Sequence, residues 1–262
     1  MTAQRSDGPL PVFLVALTVV TGLVDAFSYL RLGHVFVANM TGNVVFLGFG
    51  IAGAGDISIT RSLTAILAFA GGAFLGGRWS RGSTVHRGLL LAAVTAVQAG
   101  IVLVAVVVAV TAGVDGSAAR LALISLLAIA LGGQNAIVRR LAVPDLTTTV
   151  LTLTVTGPVA DATPWPVRAR RLISVGAMLV GALVGGVLLR WVDPAAPLWL
   201  AAALLVGCAA GALLSPPASH SHKPGDSATR AIPQRLTCHT TGMLAAARFQ
   251  LLQVDRLDTA PT

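Results

Sequence analysis

The chain has 262 residues, 55% of them apolar and 11% charged, with a formal net charge of +8; its mean hydropathy is +0.83. Soluble domains carry about a quarter charged residues, so this composition cannot supply a water-facing surface and instead predicts an all-α polytopic membrane protein. No Lys/Arg patch interleaved with aromatics marks a nucleic-acid surface, and the lipid bilayer is the partner that the composition does require.

Eight apolar segments follow in order: 10–30, 35–54, 62–78, 89–112, 119–138, 145–157, 172–190 and 198–214. The nine residues before the first hold one Arg and one Asp and no small-residue cleavage site, so the first segment reads as a span with a cytoplasmic N-terminus, not as a removed signal peptide. Asp25 lies within this span, and a carboxylate at membrane depth is costly enough to be a functional candidate by default. Segment two carries "VANMTGN", Val37–Asn43, two asparagines, a threonine and a glycine where lipid is expected. Segment four holds one carboxamide, Gln98, which reads as an interhelical hydrogen bond, and segment five ends with Gln134-Asn135. Segment six, "DLTTTVLTLTVTG", is short, Thr-rich and closed by Pro158, a poor regular helix because its side chains crowd the backbone and its hydroxyls back-bond to carbonyls. From Ser215 the composition turns to Pro, Ser, His and Lys; residues 215–262 read as a flexible cytoplasmic tail.

Charge decides how many segments cross. With neither odd segment crossing, Arg5, Arg78, Arg81, Arg87, Arg139, Arg140, Arg168, Arg170, Arg171 and the five basic tail residues share one side, and Arg31, Arg61, Arg120 and Arg190 face the other. The richer side is cytoplasmic by the positive-inside rule. Eight crossings would spoil this asymmetry; seven, with segment two crossing, would keep it. Six and seven therefore remain open on charge alone.

An internal repeat bears on the same question. "GAFLGG" (Gly72–Gly77) and "GALVGG" (Gly181–Gly186) match at an offset of 109, Arg61 and Arg170 precede them at that offset, and Asp25-Ala26 and Asn135-Ala136 correspond at 110. The expected architecture is two inverted repeats, about 10–112 and 119–214, with six full transmembrane helices and two broken or re-entrant polar segments, a symmetry that transporters use with polar sites near the midplane. Irregular backbone at that depth needs protein or a wet cavity to satisfy it.

Asp25, Asn39, Thr41, Gly42 and Asn43, with Gln134, Asn135, Thr152 and Thr154 as their counterparts, are the candidate lining of a solute path. Each also has a structural explanation. Asp25 can accept hydrogen bonds from the broken backbone near Asn39–Asn43, and polar side chains glue transmembrane helices together. An Asn43→Ala protein would be stable but inactive in the first case and misfolded in the second. Gly72/Gly76 and Gly181/Gly185 have GxxxG spacing, which lets helices approach closely, either between the repeats or between protomers of a homo-oligomer. His34 falls near the outer rim. No HExxH, GxSxG or paired intramembrane carboxylates point to an enzyme, and no GxxxxGK[ST] loop to an ATPase. Two cysteines, Cys208 and Cys238, make no framework, and neither a metal nor a cofactor is implied.

"LGHVFVANMTGNVVFLG" (Leu32–Gly48), "ALGGQNAIVRR" (Ala130–Arg140) and "TTVLTLTVTGPVAD" (Thr148–Asp161) resemble the YoaK family of bacterial integral membrane proteins. The resemblance covers about residues 10–214 and implies a polytopic fold in the bacterial inner membrane, without an activity or substrate. In the second repeat the family pattern has Thr-Gly where this chain has Thr152-Leu153; an alternative register aligns Thr156-Gly157 with Thr41-Gly42. The expected function is movement of a small solute, passive or proton-coupled, with a membrane scaffold or sensor as the alternative.

Overall fold

In a computed structural model, residues 10–55, 57–81, 87–141 and 165–214 are described. They form seven helices: α1 (Leu10–Arg31), α2 (Met40–Ile51), α3 (Ile59–Arg81), α4 (Arg87–Thr111), α5 (Ser117–Leu141), α6 (Trp165–Trp191) and α7 (Ala196–Leu214). There is no strand among the described residues. All but α2 are long and apolar enough to cross a membrane. Segment six with Thr152 and Thr154, and the tail with Cys238, lie outside the described residues.

In hydrocarbon every backbone polar group must be satisfied within the segment, which is why these apolar runs are helical. Hydroxyls that cannot reach water turn back on the helix: Thr18 donates to the Leu14 carbonyl, Thr21 to Leu17 and Thr95 to Leu91. Leu17, Val20, Leu23 and Phe27 of α1 meet Leu123, Ile124 and Leu127 of α5 and Leu198 and Leu205 of α7 in one buried cluster. Large apolar side chains also point outward, with Phe74 64% and Leu183 65% exposed, as expected of a surface that faces lipid.

The long helices associate in pairs. α3 lies along α5, α1 along α6, and α4 along α7, with smaller contacts of α4 on α5 and α1 on α7. Gly72 and Gly76 of α3 abut Ile129 and Gly133 of α5 in that order, so these two helices run in the same direction. Gly181 and Gly185 of α6 abut Val19 and Leu23 of α1, so those two are parallel as well. At one end of the bundle Arg140 donates to the Ser80 hydroxyl at 3.3 Å, and Gly211 of α7 meets Phe13 of α1. At the other end the Arg61 guanidinium donates to the Gly33 carbonyl at 3.1 Å. The end of α1 therefore meets the start of α3. The intervening α2 has 12 residues, about 18 Å of helix at 1.5 Å per residue, too short for a hydrocarbon core of about 30 Å. Segment two leaves and returns on one side, which decides the question that charge left open.

A candidate polar site at a broken helix

Several residues of the stretch Leu32–Asn43 have a visible task. α1 ends in a left-handed turn, with φ of +92° at Gly33 and 59° at His34. A side chain at Gly33 would collide with the Arg61 guanidinium that holds its carbonyl. From Val35 to Asn39 the chain is irregular, and its amides need partners. Asp25 supplies them: its Oδ1 accepts from the N–H groups of Val37 at 3.0 Å and Ala38 at 2.9 Å. The Asn39 amide also faces this carboxylate. Successive N–H groups turned toward one anion form a nest, and the positive end of α2 begins beside it.

Asn43 clamps the other side of the break. Its Oδ1 accepts from Phe36 N–H at 2.9 Å and its Nδ2 donates to the Phe36 carbonyl at 2.6 Å, so one carboxamide pairs both backbone groups of one residue. The Phe36 ring covers Gly42, where a Cβ would lie 2.9 Å from its Cδ2, and stacks on Tyr29 and Phe46 with centroids 4.9 and 5.8 Å away. Asn39 caps α2, accepting weakly from Gly42 N–H at 3.5 Å.

Asp25, Asn39, Gly42 and Asn43 thus come together, but with different surroundings. Asn43 is fully buried, whereas Asn39 and Thr41 are exposed; the helix begins after Asn39, so the shared face expected of a continuous helix does not form. Asp25 is buried, and its Oδ2 has no hydrogen-bond partner among the described residues. Gln134 belongs elsewhere: its Oε1 accepts from Gln98 Nε2 at 2.5 Å, joining α4 to α5. Asn135, next to it, is half-buried. The glycine pairs of α3 and α6 pack between helices of this chain, with Gly22, Gly132 and Gly133 as partners. Those three were not singled out from sequence, although Gly22 and Gly132 stand 110 residues apart, as Asp25 and Asn135 do.

A family model described as "Protein of unknown function (DUF1275)" matches residues 13–211. The chain belongs to this family. Over 56 residues it is 48% identical to the UPF0700 transmembrane protein YoaK of Bacillus subtilis (strain 168), a match covering 21% of this chain and 25% of that protein. The YoaK resemblance therefore holds, and the chain is a multi-pass membrane protein. No solved structure matches it.

The clamp geometry fixes one expected result. Asn43→Ala removes two hydrogen bonds and leaves the Phe36 N–H and carbonyl without their partners, a cost of about 1–3 kcal/mol for each stranded group. The variant should melt well below the parent in a thermal size-exclusion assay. Unchanged melting would show that the clamp contributes little. Because this loss is expected with or without transport, Asn43→Ala does not separate the two functional readings, and another substitution has to do so.

Proposed function

We propose that the protein is a non-enzymatic permease that moves a small solute across the bacterial inner membrane, passively or coupled to protons, through two inverted repeats. The observation that carries this is Asp25: one oxygen holds the broken helix, while the second is buried with no partner among the described residues. A stranded carboxylate oxygen at membrane depth is costly unless it takes up a proton or meets a permeant. Asp25 would couple or tune. Exposed Asn39 and Thr41 would line the path from one side, with half-buried Asn135 as the counterpart in the second half.

The helix pairing supports the repeat. Exchanging α1 with α5, α3 with α6 and α4 with α7 maps the α3–α5 pair onto α6–α1 and α4–α5 onto α7–α1. The correspondence reaches single atoms. A Cβ at Gly132 would press on Phe69 O and Ala73 N, and one at Gly22 on Met178 O and Ala182 N, positions related by 109 residues. α1 and α5 would run oppositely across the membrane, since α5 is parallel to α3 and the end of α1 meets the start of α3. The same directions group Arg78, Arg81, Arg139 and Arg140 with the start of α6, which favours a cytoplasmic position for that end and for the tail.

Asp25→Asn is the discriminating variant, since its carboxamide oxygen can still accept from Val37 and Ala38. Purified parent and variant are reconstituted into proteoliposomes and offered a mixed panel of small metabolites with and without a pH gradient. Gradient-dependent uptake by the parent that Asp25→Asn no longer couples to the gradient is the expected result. No uptake of any solute by folded parent protein would overturn transport and favour a scaffold or sensor.

A further inference from the structure

α3 and α5 lie side by side in the same direction, so both bring their last turns to one end of the bundle. Those turns carry Arg78 and Arg81 on α3 and Arg139 and Arg140 on α5, all four exposed. None of them forms an ion pair among the described residues, where Arg120 pairs with Asp115. Two helix C-termini contribute about −0.5 charge each, which offsets roughly one of the four positive charges. Arg140 is also tethered: its Nη1 donates to Ser80 Oγ at 3.3 Å, and that buried hydroxyl donates in turn to the Gly77 carbonyl at 3.0 Å. The bond carries the α5 guanidinium across to α3 and leaves the rest of its N–H fork unused.

An apolar groove begins beside these arginines. α3 and α4 are consecutive, yet each packs mainly on another helix, and the gap between them is floored by α5. Leu75 and Ile137 line it; Arg78 and Arg140 follow them by three residues, on the same helix faces. Trp79, 49% exposed, stands at this mouth, and Gly72 lies about 10 Å further in at 1.5 Å per residue. Gln98 and Gln134 are buried and bonded to each other, so the surface on offer is apolar.

We propose that this end of the α3–α5 pair seats an anionic phospholipid, its phosphate on the guanidinium groups of Arg78 and Arg140 and one acyl chain in the groove. Charge complementarity selects this occupant. A soluble anion would leave the groove bare, and an uncharged lipid would leave the arginines unanswered. The planar guanidinium fork matches phosphate oxygens, and tryptophan sits favourably at headgroup depth. Basic residues at span ends also orient a chain in the membrane, but that role calls for neither the Ser80 tether nor an adjoining groove. Neither transport nor the repeat is required.

The test is quenching of Trp79 in vesicles of phosphatidylcholine with a minority of phosphatidylglycerol. Two vesicle sets of identical composition differ only in which lipid carries bromine near the top of its acyl chains. The Trp79 signal is the difference between each protein and the same protein with Trp79→Phe. Molecule for molecule, phosphatidylglycerol is expected to quench about fivefold more than phosphatidylcholine, as roughly one basic residue's attraction provides. Arg78→Gln combined with Arg140→Gln should bring this ratio close to one, and Arg190→Gln, at the opposite end of the bundle, should leave it unchanged. Val97→Phe fills the groove without touching the arginines and should also remove the preference. A ratio of one in the parent would overturn the site. A preference that survives loss of both arginines would overturn their role, and one that survives Val97→Phe would mean diffuse attraction to a basic face and overturn the seat. Because flux is not measured, failure here leaves the transport proposal to its own test.

Discussion

Asp25→Ala is expected to prevent accumulation of folded protein, whereas Asp25→Asn should fold. Alanine strands the Val37 and Ala38 amides, which donate to Asp25 Oδ1 at 3.0 and 2.9 Å. Two buried donors without partners cost roughly 2–6 kcal/mol together, against a whole stability of about 5–15 kcal/mol for a typical domain. No other described side chain hydrogen-bonds to these two amides, so water or local collapse would have to replace the carboxylate. Asparagine keeps an oxygen at the same distance along the side chain and loses only the charge that the amide nest and the start of α2 favour. Monodisperse yield and melting temperature of the two variants decide the matter. Parent-like melting of Asp25→Ala would mean that the break between α1 and α2 does not depend on this anchor. Comparable collapse of both variants would mean that charge, not hydrogen-bond acceptance, holds it.

The contrast explains what the sequence could and could not convey. Span positions are legible because the membrane imposes one rule on every crossing, a long apolar run; the first segment, expected at 10–30, is Leu10–Arg31, and the last, expected at 198–214, is Ala196–Leu214. That "VANMTGN" interrupts a helix is legible for the same reason. What each polar residue does there is not, because a donor or acceptor that lines a path and one that ties off backbone look alike in one dimension. Asn43 is the clearest case: only its two bonds to Phe36, seven residues away, show it to be a clamp. Asp25 is open to both roles in sequence; the structure shows its Oδ1 holding the fold and its Oδ2 unpartnered among the described residues. Gln98, expected to bridge helices, does so, and its partner is Gln134, which the sequence offers only as a counterpart of the first polar set. The side of the bilayer on which segment two ends needed the Arg61–Gly33 contact, since arginine counts are equal for six and seven crossings.

Four alanine substitutions at glycines should produce matched losses in the two halves. A Cβ at Gly72 would overlap the Ile129 carbonyl oxygen, and one at Gly181 the Val19 carbonyl oxygen; Gly132 and Gly22 meet Phe69 O and Met178 O in the same manner. In each case the obstacle is backbone, which cannot rotate away as a side chain would, so the helices must separate. Overpacking of this kind costs about 1–3 kcal/mol. Gly72→Ala and Gly181→Ala should lower the melting temperature by similar amounts, and so should Gly22→Ala and Gly132→Ala. Gly71→Ala and Gly176→Ala are the controls, with nothing within 4 Å of either added Cβ; there the better helix propensity of alanine, worth up to about 1 kcal/mol, should leave stability unchanged or raised. Large losses in α3 and α5 without counterparts in α1 and α6 would mean that the glycine correspondence is a coincidence of small residues, and the inverted-repeat proposal would fall with it. Matched losses would tie the repeat to packing energy: two parallel helix pairs, α3–α5 and α1–α6, each drawn together by glycines because lipid supplies no hydrophobic force to do so.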